Sequence, residues 1–178
     1  MKKILGLLMA AMVVVVLSSA SALAETTATI EGVHICCAGC TKAVEAGLKK
    51  VEGLEFKVDP KKQAVLLSAE DVKTAQKGID ALAGAGFHGK VKSDNKNLHF
   101  KPVKPPEGKV TRLEVQKIHN CCGKCTKAIQ AALAKVEGVE ADSAKPKVTK
   151  FAIEGNFSAA EAIEAIFNAG FHCQVVSK

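Results

Sequence analysis

The sequence has no tryptophan and no tyrosine, and Arg112 is its one arginine among 25 basic residues. Lysine therefore accounts for the formal net charge of +7, and no basic run has aromatic residues between its charges. Proteins that bind nucleic acids commonly stack bases on aromatic side chains and arginine. The composition therefore argues against nucleic-acid binding and favours a solvated lysine surface.

The chain also lacks an apolar run of the roughly 20 residues that a membrane-spanning helix needs. Its amino-terminal run, Ile4 to Leu17, follows two lysines and leads to the small-residue stretch Ala22-Leu23-Ala24. This pattern is typical of a cleaved secretory signal at 1–24, although an uncleaved anchor is the alternative. We therefore expect a mature protein that begins at Glu25, is periplasmic or secreted, and has no membrane attachment.

Cysteine, in contrast, is frequent and clustered. Six of the seven cysteines lie in two copies of H-x-C-C-x-x-C, at His34–Cys40 and His119–Cys125. Exported cysteines normally form disulfides, but a bridge across C-x-x-C closes too short a loop to stabilise a fold much. Thiolate and imidazole groups are ligands for soft or borderline metal ions. The clusters therefore indicate metal ligands or redox-active thiols.

Each cysteine stretch belongs to a repeated unit, because Ala-Gly-Phe-His recurs at 85–88 and 169–172. Alternating and helical hydrophobic patterns predict the order strand, helix, strand, strand, helix, strand in each unit. This order is typical of an α+β fold, the ferredoxin-like βαββαβ domain. We predict two such domains in tandem after the signal peptide, at 25–92 and 110–178, joined by an exposed, semi-rigid Pro/Lys linker at 93–109.

The local patterns also predict individual elements. Apolar residues at helical spacing predict a first helix from Cys40 to Val51 and its copy from Cys125 to Val136. The strands of a hairpin and the last strand follow in each unit, at 54–58, 64–67 and 87–91 and at 139–143, 148–153 and 171–176. Ser68 and Ser158 begin stretches of the capping-box type, which predict the start of the second helices.

A C-x-x-C loop between a first strand and a first helix, followed by V-E-G-L or V-E-G-V and later by A-G-F, resembles the heavy-metal-associated domain. The resemblance covers nearly the whole mature chain, twice. It implies a non-enzymatic metal-binding protein, similar to copper chaperones and periplasmic mercury-binding proteins. It also implies that Cys37 with Cys40, and Cys122 with Cys125, are metal ligands.

The loops depart from the family's G-M-x-C-x-x-C pattern at three positions. His34 and His119 replace the glycine, and an extra cysteine, Cys36 or Cys121, precedes the first ligand cysteine. Ile35 can keep the packing role of the family's methionine, whereas we do not expect Asn120 to do so. Because the additional histidine and cysteine recur in both copies, we include all four as candidate ligands.

These observations predict an exported protein that captures or transfers a soft metal ion. Cu(I) is the leading ion, with Zn(II) or Hg(II) as alternatives, and a metal-transporting ATPase or another metal-handling protein is the expected partner. Each unit is expected to bind metal alone. With Cu(I), loss of Cys37 or Cys40 should abolish binding while loss of His34 has little effect; a Cys₃His zinc site would make His34 as important as Cys36.

A thiol-disulfide oxidoreductase is the rival class. Against it, the sequence lacks the longer thioredoxin-like pattern and a proline suited to a substrate-docking cis bond. Outside the loops, alternation predicts that His88 and His172 lie at the surface. Cys173 has no counterpart in the first unit, where Gly89 stands, and we expect a buried or dimer-forming thiol there.

Overall fold

A computed structural model describes residues 25–176, so the predicted signal peptide lies outside the described residues. The first unit contains β1 (Thr26–Glu31), α1 (Ala38–Leu48), β2 (Leu54–Asp59), β3 (Ala64–Ala69), α2 (Val72–Gly84) and β4 (Lys90–Lys92). The second contains β5 (Lys109–Gln116), α3 (Gly123–Leu133), β6 (Val139–Asp142), β7 (Phe151–Ser158), α4 (Ala159–Asn168) and β8 (Gln174–Val175). None of the helices within 25–176 is long and apolar enough to cross a membrane.

Each unit forms one antiparallel sheet of four strands. The strand orders β2-β3-β1-β4 and β6-β7-β5-β8 place the first and third strands of each unit at the centre. The two helices of a unit pack on each other and on the sheet. Burial alternates along β3, where Val65 and Leu67 are fully buried and Leu66 is exposed, because one face meets the helices. The predicted α+β class and the ferredoxin-like order are confirmed in both units.

The second helices begin differently in the two units. Ser158 caps α4 by accepting a hydrogen bond from the backbone N–H of Glu161, as predicted. The prediction that the capping stretch of α2 begins at Ser68 is wrong, because Ser68 belongs to β3 and pairs with Thr27. Asp71 caps α2 instead, accepting from Thr74 N at 2.9 Å.

The hairpin of the second unit is less regular than that of the first. The register between β6 and β7 shifts between Val139 and Ala141, and Gly155 there has φ 138°. A Cβ on Gly155 would lie 2.0 Å from Gly138 O, so the close strand approach requires glycine. The returning strand begins at Phe151 rather than at the predicted residue 148. Val148 itself is exposed, since it lies in the preceding turn.

The segment between the units has no regular secondary structure up to β5, but it is not wholly exposed as predicted. Leu98 is buried, and the Phe100 ring lies 4.2 Å from the ring of His88. Gln76 on α2 holds the segment by donating to His99 O at 2.9 Å and accepting from His99 N at 3.2 Å. The segment therefore packs on the first unit, because it carries apolar side chains between its lysines.

The two units face each other through their Ala-Gly-Phe-His segments. Phe87 and Phe171 form an antiparallel bridge. Gly86 O accepts from the backbone N–H groups of His172 at 2.9 Å and His119 at 3.3 Å. Reciprocally, Gly170 O accepts from His88 at 3.1 Å and His34 at 3.2 Å. These paired contacts hold the two cysteine loops against each other.

Candidate metal centre

The loop cysteines occupy equivalent positions at the start of the first helix of each unit. Cys37 and Cys122 are the N-cap residues of α1 and α3, and both have extended backbone. Cys40 and Cys125 lie in the first turn and are fully buried. Because this turn has unpaired N–H groups and the positive end of the helix dipole, it favours thiolate over thiol.

The six loop sulfurs converge in one cluster between the units. Within the first loop, Cys40 Sγ lies 3.7 Å from Cys36 Sγ and 3.6 Å from Cys37 Sγ. Across the interface, Cys40 Sγ lies 3.7 Å from Cys121 Sγ and 3.9 Å from Cys125 Sγ. The other sulfur pairs at 3.7 to 3.9 Å are Cys36 with Cys122, Cys36 with Cys125, Cys37 with Cys121, Cys121 with Cys125 and Cys122 with Cys125.

Two histidines complete the cluster, one from each unit. The ring of His34 stacks on Phe171 with centroids 4.4 Å apart, and the ring of His119 stacks on Phe87 at 4.3 Å. Each imidazole is therefore oriented by a phenylalanine of the other unit. The Nε2 atoms of both histidines are buried and have no hydrogen-bond partner among residues 25–176. A buried polar atom without a partner is costly, so both nitrogens are suited to binding an ion among the thiols.

The ligand atoms form sets that mix the two units. Cys40, His119, Cys121 and Cys125 have ligand atoms within 4.8 Å of one another, and so do His34, Cys36 and Cys125. The other two sets, also within 4.8 Å, are Cys36 with Cys37 and Cys40, and Cys37 with Cys121 and Cys122. The loop thus bends enough to bring its three thiols together. The Cys₃His set, however, takes its histidine and two of its cysteines from the second unit and Cys40 from the first.

The residue beneath each loop differs between the units. Ile35 is 3% exposed and keeps the packing role predicted for it. Asn120 is also buried, contrary to prediction, because its polar groups are paired. Its Nδ2 donates to Lys145 O at 2.8 Å, and its Oδ1 accepts from Thr126 Oγ1 at 2.7 Å. A hydrogen-bonded amide therefore supports the second loop where an aliphatic side chain supports the first.

The thiols are electrostatically coupled. A hydrogen bond from Cys125 lowers the pKa of Cys40 to about 2, and the same interaction is the largest cause of a raised pKa at Cys125. The contact between these two sulfurs therefore favours the thiolate at Cys40 and the thiol at Cys125. Burial raises the pKa of Cys36 and of Cys121 to about 12. Backbone hydrogen bonding from Cys125 lowers the pKa of Cys122 to about 7. A metal ion must therefore displace protons from several of these thiols.

His88, His172 and Cys173 lie outside the two cysteine loops. His172 is buried and His88 half-buried, so their predicted surface positions are wrong. Their Nδ1 atoms lie 3.3 Å apart across the unit interface, and both rings stack near Phe167. Alternation along one strand predicts the face on which a side chain lies, but not that the other unit covers that face. A buried or a dimer-forming thiol was expected at Cys173, and it is fully buried. Cys173 belongs to none of the ligand sets.

No protein-family model matches the chain, and no curated protein matches it. Among solved structures, the N-terminal soluble domains of Bacillus subtilis CopA are 17% identical, with a TM-score of 0.32, over 85% of this chain and 94% of that chain. The water-soluble region of the P-type ATPase CopA from Bacillus subtilis is also 17% identical, with a TM-score of 0.30, over 85% and 91%. The first two RRM domains of yeast poly(U) binding protein Pub1 are 10% identical, with a TM-score of 0.25, over 85% and 99%.

The chain's own geometry therefore carries the chemical conclusion. Thiolates are soft ligands, and imidazole binds soft and borderline ions. A cluster of six thiols and two unpartnered imidazoles has the chemistry of a soft-metal site. The residues that the loop pattern singles out in the sequence all lie in it; the pattern does not show that the two loops form one cluster.

Proposed function

We propose that this chain is an exported, non-enzymatic protein that captures or hands on a soft metal ion, with Cu(I) as the leading cargo. The observation that carries the proposal is the convergence of the six loop sulfurs with two buried imidazole nitrogens. Thiolate-rich sites select Cu(I) over harder ions. The heavy-metal-associated resemblance supports the same class, and the signal pattern at 1–24 supports export.

The cysteines of each C-x-x-C pair differ in burial, and we expect them to contribute unequally to metal binding. The sequence pattern treats the members of each C-x-x-C pair as equal, whereas the inner cysteines, Cys40 and Cys125, are fully buried and contact each other across the interface, and the first cysteines, Cys37 and Cys122, are half-buried. The first cysteines of the pairs lie at the outer edge. We therefore expect capture to involve a shared centre, and a metal-transporting ATPase or other metal-handling protein would exchange the ion at its outer thiols.

Metal analysis of the protein purified anaerobically from the exported compartment tests this function. We expect copper to copurify, and Cu(I) to be retained in competition with a chelator. The double variant Cys40→Ser/Cys125→Ser should lose this retention. Cys173→Ala is the matched control, because it removes a buried thiol outside the cluster. Absence of retained metal in the wild type would contradict the proposal, and efficient reduction of insulin disulfides would favour a thiol-disulfide oxidoreductase instead.

Zinc is the second candidate, because Cys40, His119, Cys121 and Cys125 form a Cys₃His set within 4.8 Å. Structural zinc sites use four tetrahedral ligands of this kind. If zinc is the cargo, His119→Ala should weaken binding about as much as Cys121→Ser. Zinc affinity should also fall as the pH decreases, because protons compete with zinc for the imidazole and the thiolates. If Cu(I) is the cargo, His119→Ala should have the smaller effect.

A further inference from the structure

We infer that the cluster holds two metal ions bridged by the thiolates of Cys40 and Cys125. This inference rests on the proposed metal binding and deepens it by defining the number of ions and their connection. Each ion would have one histidine and one further cysteine as its own ligands. His119 and Cys121 would serve one ion, and His34 and Cys36 the other.

The ligand distances fit two sites that share an edge. The first set is Cys40, His119, Cys121 and Cys125. The second combines His34, Cys36 and Cys125, which lie within 4.8 Å of one another, with Cys40, whose Sγ is 3.7 Å from that of Cys36. Cys125 belongs to both sets, and the addition of Cys40 to the second makes Cys40 and Cys125 common to both proposed sites; their sulfurs are 3.9 Å apart.

The sulfur spacing is that of tetrahedral coordination. A metal–sulfur bond of about 2.3 Å gives a tetrahedron with edges of about 3.8 Å. The sulfurs within each set are 3.7 to 3.9 Å apart. A thiolate sulfur has enough lone pairs to bind two ions, so a shared edge needs no additional ligand. The two sets therefore describe adjacent tetrahedra rather than one crowded site.

The imidazoles distinguish this arrangement from one ion in each C-x-x-C loop. His34 and His119, whose Nε2 atoms are buried without a partner among residues 25–176, belong to the two sets that contain Cys125. Neither histidine belongs to the set formed by Cys36, Cys37 and Cys40. Filling the two bridged sites would pair both orphan nitrogens, whereas filling the single-loop set would leave them without partners.

Charge also favours two ions. One divalent ion bound to the three thiolates of the first set leaves a net charge of −1 in a buried site, which is costly in a medium of low polarity. Two divalent ions neutralise the four thiolates of the two sites, and two monovalent ions bind the fourth thiolate with no more net charge than one monovalent ion leaves on three. Each bound thiol releases its proton as the sulfur–metal bond forms, and no electron is transferred. The central burial of Cys40 and Cys125 makes this neutralisation most important there.

The test loads the reduced full-length chain anaerobically with ¹¹³Cd(II), a soft ion that accepts sulfur and nitrogen ligands. Native mass spectrometry should show two cadmium ions per chain. The ¹¹³Cd spectrum should contain two resonances, since the loops differ in sequence, and each should be split by coupling to the other through a shared sulfur. Scalar coupling between the ions requires a bridging ligand, so this splitting reports the bridge directly.

Variants locate the bridge. Cys40→Ser/Cys125→Ser should remove the splitting and at least one ion, whereas Cys173→Ala should retain two coupled ions because it changes a buried thiol outside the ligand sets. His34→Gln/His119→Gln should shift both resonances. One ion per chain, or two uncoupled ions, would overturn the bridged centre while leaving metal binding intact. Retention of the splitting in Cys40→Ser/Cys125→Ser would also overturn it. No bound cadmium in the wild type would contradict the proposed function itself.

Discussion

The two units have the same fold but stabilise the same loop in different ways. In the first unit the loop rests on the aliphatic side chain of Ile35, and β1 pairs with β3 in unbroken register. In the second it rests on the hydrogen-bonded amide of Asn120, and β7 is bulged. The cysteines and histidines nevertheless occupy equivalent positions. The comparison shows that two different buried supports can hold the loop's ligand residues in equivalent positions.

The largest effect on stability is expected from substitutions of Gly86 and Gly170, the glycines at which the two units contact each other. Gly86 has φ 83°, and a Cβ there would lie 2.3 Å from His119 N; at Gly170 the corresponding distance to His34 N is 2.4 Å. Gly86→Ala and Gly170→Ala should each destabilise the protein by more than about 2 kcal/mol, because a positive φ and a backbone clash combine. Urea unfolding measures this, and metal titration should show reduced stoichiometry.

Gly84→Ala is the control for this prediction, since a Cβ on Gly84 meets no atom within 4 Å. It should leave stability and metal binding unchanged or slightly improved, because alanine is favoured over glycine in helices. If Gly86→Ala and Gly84→Ala have the same effect on stability and metal binding, then neither property depends on the interface between the units. Each unit would then bind metal alone, as the sequence predicts.

The comparison is tested directly by exchanging the two residues that support the loops, Ile35 and Asn120. Ile35→Asn buries an amide where the structure provides an aliphatic environment, and it should cost about 3 kcal/mol. Asn120→Ile removes the hydrogen bonds of Asn120 with the Lys145 carbonyl and the Thr126 hydroxyl and should cost about 1–2 kcal/mol. Thermal unfolding of the metal-free protein measures both. Ile35→Val, the control, should cost about 1 kcal/mol. Equal tolerance of both exchanges would show that the supports are interchangeable.

The histidine pair at the interface predicts a pH dependence of stability. Burial lowers the pKa of both His88 and His172 to about 4. The unfolded chain takes up protons near pH 6.5 while the folded chain does not, so stability is complete above about pH 6.5 and falls as the pH decreases towards 4. The melting temperature of the metal-free protein should decrease by several degrees over this range.

The double variant His88→Asn/His172→Asn provides the comparison, because asparagine retains a polar group near Nδ1 but does not titrate. Its melting temperature should vary less between pH 6.5 and 4 than that of the wild type. A part of the dependence should remain, since burial also lowers the pKa of His34. An unchanged slope in the variant would contradict the assignment to the interface pair.

The smallest effect is expected at the position where the units differ by a cysteine. A Cβ on Gly89 would lie 2.5 Å from Glu31 O, so the first unit has no room for a side chain there, whereas the second buries Cys173. Cys173→Ala should cost about 1 kcal/mol through the lost packing and leave metal stoichiometry unchanged. Burial also raises the pKa of Cys173 to about 12, so its thiol should resist alkylation in the native protein. Loss of metal in this variant would place Cys173 in the site.

The sequence by itself determined the elements and the composition of the candidate site. Hydrophobic spacing predicts α1 because Cys40, Val44 and Leu48 must share a buried face, and the repeat predicts the same fold twice. The thiols and imidazoles are identifiable because both copies retain them at the same spacing. Helix starts were less predictable: at Ser68, strand pairing outweighed a local capping pattern, and the cap lies at Asp71.

Tertiary structure alone decided which ligands belong together. Two distant segments, each with the sequence Ala-Gly-Phe-His, pair across the interface and bring Cys40 within 3.9 Å of Cys125. Local periodicity reports which side chains of one element share a face, but not which other element covers that face. For the same reason the sequence placed His88 and His172 at the surface. The shared centre therefore depends on contacts between residues more than 80 positions apart, which no local pattern specifies.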